Sequence, residues 1–137
     1  MDCIFCKIAY GEIPARKLYE DSNFCVFLDQ YPASPGHTLV IPKSHHENIF
    51  EIPEELVAGV HSLAKRVAVS MREALNSKDV NILQNNGIIA GQTIFHYHVH
   101  VIPRYENDNI TMKWAPHSDT KAEELNTLLK AMLGVFR

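Results

Sequence analysis

The stretch that decides the fold is Gly91-Gln-Thr-Ile-Phe-His-Tyr-His-Val-His-Val-Ile-Pro-Arg104, in which histidine alternates with apolar or aromatic residues. Successive side chains of a β-strand point to opposite faces of a sheet. One face therefore carries His96, His98 and His100, and the other, which suits a hydrophobic core, carries Phe95, Tyr97, Val99 and Val101. The alternation predicts a strand over residues 94–102, which Pro103 is expected to end because proline cannot donate to a ladder.

Three alternating histidines are open to three interpretations. The simplest is a polar stripe on a half-exposed strand, which accounts for one histidine better than for three. The second is a metal-dependent enzyme that uses the strand as ligands. Neighbouring histidines on one face lie about 7 Å apart at a rise of about 3.3 Å per residue, so all three reach one metal only with difficulty. The third is phosphoryl chemistry, because imidazole, with a pKa of about 6.5, supplies both a neutral nucleophile and a protonated donor near neutral pH.

The rest of the chain predicts an α+β domain with helices packed on an antiparallel sheet. Strand patterns occupy residues 17–20, 24–28, 37–41 and 80–84, and a helical turn at 3–9 precedes them. Apolar residues at steps of three and four predict a long amphipathic helix over 54–75. The same spacing from Leu125 to Leu133 predicts a C-terminal helix, begun by a capping box of Thr120 and Glu123. No linker divides the pattern, so residues 1–137 are expected to form a single domain.

Composition narrows the functional classes. The 137 residues are 46% hydrophobic and 21% charged, which is typical of a globular domain. A net charge of −3 argues against a nucleic-acid partner, since proteins that bind nucleic acids neutralise phosphates with a basic face. No apolar run approaches the ~18 residues of a membrane span, so no membrane partner is expected. Three cysteines make a poor disulfide framework, which favours the reducing cytoplasm.

The histidine strand resembles the histidine triad motif of the HIT family of nucleotide hydrolases and transferases. The likeness extends to Asp2-Cys-Ile-Phe-Cys-Lys-Ile8, Phe27-Leu-Asp-Gln30 and Pro35-Gly-His-Thr-Leu-Val-Ile-Pro-Lys43. The resemblance implies a HIT-like fold, with a five-stranded antiparallel sheet, one long helix and a C-terminal helix, assembled as a homodimer. It also implies an enzyme without an organic cofactor that acts at the α-phosphate of purine nucleotide derivatives through a covalent nucleotidyl-histidine.

The resemblance assigns catalytic roles to three histidines by their position. His98 corresponds to the nucleophile that attacks the α-phosphorus. His100 corresponds to a histidine that binds phosphate oxygens or polarises the reacting group. His37 corresponds to a histidine that lies beside the active site and supports it.

Four further residues correspond to nucleotide contacts in that family. Asp29 matches a position that holds the ribose hydroxyls, and Asn85, Gln92 and Thr93 match polar contacts to phosphate. Considered alone, the residues leave simpler alternatives open. Asn85 suits a turn beside Gly87, Asp29 suits a turn at a strand end, and Thr93 suits a strand.

The pair Cys3-x-x-Cys6 indicates a second site. By itself the spacing fits a redox pair, half of a metal site or chance, and Gly11 and Pro14 leave no room for the long helix that usually follows a redox pair. The resemblance implies a structural zinc ion held by Cys3, Cys6, His45 and His96. Such a Cys₂His₂ set is a closed tetrahedral site. His46 is the neighbouring alternative, interpreted as a solvated loop residue.

The sequence does not determine the leaving group of the reaction or the surface through which the chain would dimerise. The Gly-Gln-Thr and Val-Ile-Pro-Arg flanks of the triad resemble enzymes that cleave dinucleoside polyphosphates, whereas the length and the N-terminal segment resemble nucleoside phosphoramidases. A nucleotide-binding partner module with little turnover is an alternative to either enzyme. For the homodimer, the predicted helix over 54–75 is a candidate interface through Leu56, Val60 and Leu63.

Overall fold

The computed structural model describes residues 2–137, and these form an α+β fold. The elements in chain order are α1 (Ile4–Ala9), β1 (Lys17–Glu20), β2 (Phe24–Leu28), β3 (Thr38–Pro42), α2 (Glu54–Leu75), β4 (Asp79–Leu83), β5 (Val99–Arg104) and α3 (Ala122–Leu133). The strands form one antiparallel five-stranded sheet in the order β1-β2-β3-β5-β4. The predicted fold class is therefore confirmed. No helix within 2–137 is long and apolar enough to cross a membrane.

The long helix α2 has the bounds that its periodicity predicts, and it covers one face of the sheet. It ends where Asn76 adopts a left-handed conformation and its N–H bonds to the carbonyl of Met71. Two of the three residues predicted for a dimer interface on this helix are not available for one. Val60 and Leu63 are buried in the core beneath the sheet, and Leu56 packs against the same core, because the apolar stripe is used inside the chain.

The short helix α1 lies on the opposite face of the sheet. Its side chains Phe5 and Ile8 are buried against a second cluster formed by Cys25, Phe27, Leu39 and Ile41. His100 belongs to this face too, because it is paired directly across the ladder with Leu39. The histidines thus face α1, whereas Val99 and Val101 face α2.

The strand that carries the triad is shorter than predicted at its start and longer at its end. β5 begins at Val99 rather than at residue 94, because residues 94–96 bend and the N–H of Tyr97 donates to the carbonyl of His46 instead of to a neighbouring strand. Pro103 does not end β5. Pairing with β3 stops at Val101, so β3 does not need a hydrogen bond from the N–H that Pro103 lacks. β5 continues to Arg104 through its pairing with β4.

The C-terminal helix stands apart from the body of the domain. α3 has no buried residue, and residues 113–137 are all exposed. The predicted capping box is wrong, since the helix begins after Lys121 without a side-chain cap and Thr120 lies one position too early. The helix itself and its apolar stripe are present as predicted, and no part of residues 2–137 buries the stripe.

Candidate active site

His98 is held in the form of a nucleophile. Its side chain is buried, and its Nδ1 lies 2.7 Å from the backbone carbonyl of His96. A carbonyl oxygen only accepts hydrogen bonds, so the ring proton is on Nδ1 and the lone pair is on Nε2. Burial lowers the pKa of His98, and the bond to His96 offsets part of that shift. The imidazole is therefore neutral at neutral pH, with an unprotonated nitrogen available for attack.

A chain of hydrogen bonds determines the tautomers of His37 and His100. The backbone N–H of Ala33 donates to Nδ1 of His37 at 2.9 Å, which leaves the proton of His37 on Nε2. That N–H donates to Nδ1 of His100 at 3.0 Å, so the proton of His100 is on its own Nε2. Burial, together with the neighbouring His98 and His37, lowers the pKa of His100 to about 4. His100 is thus a neutral N–H donor beside His98, and the two ring centroids are 4.9 Å apart.

The cavity in front of these histidines has the size and lining of a small-ligand site. Its volume is about 360 Å³, which lies within the usual range for such sites. Four predicted site residues line it: Asp29, Thr93, His98 and His100. The rest of the lining is mainly apolar and includes Ile4, Phe5, Ile8, Ile13, Phe27 and Leu39. A flat apolar base fits this apolar lining, and polar groups at the histidine end suit a phosphate.

Asp29 is positioned at the polar end of the cavity. One carboxylate oxygen accepts the N–H of Tyr31 at 2.8 Å, and the other lies 3.6 Å from Nε2 of His37. Asp29 therefore does stabilise a turn at the strand end, through its hydrogen bond from Tyr31. The carboxylate still lines the cavity, with lone pairs left for further donors.

The structure does not bring Gln92 and Asn85 into the lining of this cavity. The amide of Gln92 is buried and forms hydrogen bonds to backbone groups of the protein. Its Oε1 accepts the N–H of Gly87 at 2.8 Å, and its Nε2 donates to the carbonyl of Glu47 at 2.7 Å. Gln92 therefore ties two loops together next to the triad. Asn85 lies beside Gly91, whose φ of +96° is a conformation that favours glycine.

His96 is directed away from the cavity and toward the cysteines. Its Nε2 donates to the carbonyl of Pro42 at 2.8 Å, so the lone pair is on Nδ1. That nitrogen lies 3.5 Å from the sulfur of Cys3, 3.5 Å from the sulfur of Cys6 and 3.2 Å from Nδ1 of His45. The three triad histidines thus do not converge on one point, which disfavours a single metal ion held by all three.

The group of Cys3, Cys6, His45 and His96 has the dimensions of a tetrahedral zinc site. Bonds of about 2.3 Å to sulfur and about 2.0–2.1 Å to nitrogen place S···N pairs about 3.6 Å apart and N···N pairs about 3.3 Å apart. Three of the four S···N separations, including 3.3 Å between Cys6 and His45, are 3.3–3.5 Å, and the N···N separation is 3.2 Å. All four ligand atoms lie within 4.8 Å of one another. The residues therefore fit zinc, and the adjacent His46 instead contacts Ser44.

Sequence reasoning missed two contributors to the site. The amide of Ala33 has no signal in the sequence, because every residue except proline offers the same group. Phe5 packs edge-to-face on both His98 and His96, with centroid separations of 5.1 and 6.0 Å. Its position between Cys3 and Cys6 is a signal that could have identified it, since both cysteines are directed toward the triad.

Comparison with known proteins identifies the family. The model of the HIT domain matches residues 10–107. The chain belongs to the histidine triad family. A solved HIT family structure from Bacillus subtilis is 40% identical, with a TM-score of 0.94, and the match covers 100% of this chain and 99% of that one. The recognition of the HIT family from the sequence is therefore confirmed.

Two other HIT family proteins bear on the chemistry. The adenosine 5'-monophosphoramidase of Saccharomyces cerevisiae is 41% identical over 132 residues, which is 96% of this chain and 80% of the yeast protein. A zinc-bound histidine triad family structure from Mycobacterium smegmatis is 42% identical with a TM-score of 0.77, covering 98% of this chain and 94% of that one. The relatives of this HIT protein thus include a nucleotide hydrolase and a zinc-bound member.

Proposed function

We propose that the protein hydrolyses purine nucleotide derivatives at the α-phosphorus through a covalent nucleotidyl-His98. The observation that carries this proposal is the tautomer of His98. The carbonyl of His96 holds the proton on Nδ1, and Nε2 is left as a neutral nucleophile at the cavity. Two-step displacement of this kind divides one difficult substitution into two easier ones.

The two steps balance in atoms and electrons. First, Nε2 of His98 forms a bond to phosphorus while the bond from phosphorus to the leaving group breaks, and the leaving group departs with the electron pair and takes up a proton. The positive charge on the ring is stabilised by the His96 carbonyl. Water then forms a bond to phosphorus, the bond to His98 breaks, and the proton of water is released. The products are a nucleoside monophosphate and the protonated leaving group.

The neighbouring groups suit the charge that develops in both steps. His100 donates its Nε2–H to an oxygen of the phosphoryl group, and His37 keeps His100 in that tautomer. Asp29 accepts the ribose hydroxyls, and Thr93 contacts phosphate at the same end of the cavity. Gln92 acts through the loops that its amide joins, and neither Gln92 nor Asn85 lines the cavity.

Among leaving groups, we favour an amine over a nucleoside polyphosphate. The named activity of the yeast relative, a phosphoramidase at 41% identity over nearly this entire chain, supports this choice. Hydrolysis of dinucleoside polyphosphates is the second candidate, and the triad flanks in the sequence are what favour it.

A turnover assay on two substrates tests the proposal. Zinc-loaded protein should release the amine from a fluorogenic adenosine phosphoramidate, and more slowly cleave diadenosine tetraphosphate. Quenching with labelled substrate should trap the label on His98. His117, which is exposed and lies outside the site, gives a matched control, so His117→Ala should keep the wild-type rate. A protein that binds AMP without turning over either substrate would instead be the nucleotide-binding module.

We also propose one zinc ion per chain at Cys3, Cys6, His45 and His96, in a structural role. The ligand set fits zinc and leaves no open position for a substrate, and the zinc-bound relative supports it. Turnover should not need an added catalytic metal. Elemental measurement on the purified protein should find about one equivalent of zinc, and a content near zero would contradict this part of the proposal. None of the three cysteines, Cys3, Cys6 and Cys25, forms a disulfide within the described residues, which suits the proposed reducing cytoplasm.

For assembly, we propose a homodimer in which α3 packs against a second copy of the chain. Leu125, Leu129 and Met132 recur at steps of four and three residues along one stripe of α3, and each is more than half exposed. An antiparallel pair of α3 helices would set the acidic first turn, Glu123 and Glu124, against Lys130 in the last turn of the other copy. The exposed stripe and its charge complementarity both favour a second copy as the occupant.

Light scattering at micromolar concentration tests this assembly. The wild type should have the mass of two chains, and Leu129→Glu should lower it toward one chain. Thr127→Glu changes the same helix outside the stripe and serves as the control. A monomeric wild type, or a dimer unaffected by Leu129→Glu, would contradict the role of α3.

A further inference from the structure

The helix α1 belongs to two sites at once. Cys3 caps its N-terminus and Cys6 lies in its first turn, and both contribute sulfur atoms to the proposed metal site. From the same turn and the next, Ile4, Phe5 and Ile8 line the nucleotide cavity. Anything that holds or releases the cysteines therefore acts on one wall of the cavity.

The position of α1 depends on tertiary contacts. A helix of six residues is far below the length that is stable by itself, because helix nucleation is unfavourable. Within residues 2–137, the polar side-chain contacts that join α1 and its cap to the sheet and its adjoining loop are those of Cys3 and Cys6 with His45 and His96. The remaining attachment is apolar packing, chiefly of Phe5 and Ile8. A metal ion would thus supply the directional part of the attachment.

Phe5 links the two sites physically. Its ring is 4% exposed and packs edge-to-face on His96, on His98 and on Phe27, with the Phe27 centroid 5.6 Å away. Aromatic pairs at such separations have preferred relative orientations, so a displacement of Phe5 changes what His98 packs against. Phe5 is therefore a positioning residue between the metal site and the cavity.

We infer that metal occupancy of the Cys3, Cys6, His45 and His96 site sets the affinity of the cavity for the nucleoside, with α1 as the element that couples them. Metal-loaded protein holds α1 against the sheet and presents the apolar wall. Metal-free protein releases α1, and the wall with it. The inference rests on the proposed function for the identity of the ligand. It adds a coupling free energy between the metal site and the cavity: metal binding strengthens nucleotide binding, and nucleotide binding strengthens metal binding by the same factor.

The direct test compares AMP binding by zinc-loaded and metal-free protein in calorimetric titrations. Removal of zinc should weaken AMP binding by about tenfold or more, within the usual range of such couplings. His61→Ala provides the control, because His61 is an exposed histidine on α2, outside both the metal group and the cavity lining, and its variant should show the same zinc dependence as the wild type. Equal AMP affinity, within twofold, in loaded and metal-free folded protein would overturn the inference.

A reciprocal measurement covers the case in which metal-free protein does not fold. Zinc transfer from the holoprotein to a chromophoric chelator is followed with and without saturating AMP. By linkage, AMP should raise the chelator concentration needed for half-transfer by a similar factor. Phe5→Leu should reduce this effect while the zinc content stays near one equivalent. An AMP effect below twofold in the wild type would overturn the coupling. Failure of zinc-loaded protein to bind AMP at all would overturn the proposed function, and the coupling with it.

Discussion

Replacing His37 is expected to lower turnover by releasing the tautomer of His100, although His37 does not line the cavity. In the wild type, Nε2–H of His37 donates to Nδ1 of His100 at 3.0 Å, so the proton of His100 is on the nitrogen that would face the substrate. In His37→Ala this donor is gone, and Nδ1 of His100 competes for the ring proton. The amide of Ala33 loses its acceptor in the same step.

The size of the effect follows from the hydrogen bonds that are lost. Leaving a buried polar group without a partner costs about 1–3 kcal/mol. Because about 1.36 kcal/mol corresponds to a factor of ten in rate, kcat should fall about 5- to 150-fold. KM should change less, since donation by His100 matters most as charge develops on the phosphoryl oxygens. His37→Gln places an amide N–H near the former Nε2 and should recover part of the rate.

Steady-state kinetics on the fluorogenic phosphoramidate measures both variants. Nitrogen NMR of the His100 ring reports the tautomer independently, and it should show a mixture in His37→Ala. Circular dichroism and thermal unfolding check that the variants are folded. If His37→Ala keeps kcat within threefold of the wild type, or if His37→Gln is as slow as His37→Ala while His100 keeps its tautomer, the reasoning is refuted.

Three further predictions concern the nucleophile, the metal site and acid stability. His98→Ala should lower kcat by a factor of about 10⁴–10⁶, measured by quenched-flow, and should keep AMP affinity within about tenfold, measured by titration. A variant that keeps more than a few per cent of the wild-type rate would exclude covalent catalysis by His98. Cys3→Ser should lower the melting temperature and zinc content, because metal binding contributes to folding free energy, whereas zinc content should be unchanged in Cys25→Ala. The free energy of unfolding, measured with urea, should fall as the pH drops below about 6.5, because the unfolded state then binds more protons than the native state. This loss comes from buried histidines whose pKa values are lowered, chiefly by burial: His37, His98 and His100. A constant free energy between pH 7.5 and 5 would contradict it.

The elements that depend on local periodicity could be predicted from the sequence. Alternation in the triad stretch placed the histidines on one face and Val99 and Val101 on the other, since the period of a strand is two. Steps of three and four residues predicted α2 with its observed bounds. In both cases the pattern is a property of neighbouring residues, so it is visible before the chain is folded.

Positions that depend on a distant partner could not be predicted in this way. β5 starts at Val99 because Tyr97 bonds to His46, which lies far away in the chain. The amide of Gln92 is used by Gly87 and Glu47, although its place in the motif suggests a phosphate contact. The apolar stripe of α2 packs into the core of its own chain, whereas that of α3 is exposed. Both stripes recur at steps of three and four residues, so the sequence pattern does not distinguish them.

By itself, the sequence determined which residue types meet on one strand face and, through its likeness to the triad motif, which histidine is the candidate nucleophile. Only the tertiary structure decided which hydrogen-bond partner each histidine has. His96, His98 and His100 have the same side chain, but each ring has a different partner: the carbonyl of Pro42, the carbonyl of His96 and the N–H of His37. Because an imidazole has one proton for two nitrogens, the partner determines which nitrogen is left free, and thereby separates the proposed roles of metal ligand, nucleophile and donor.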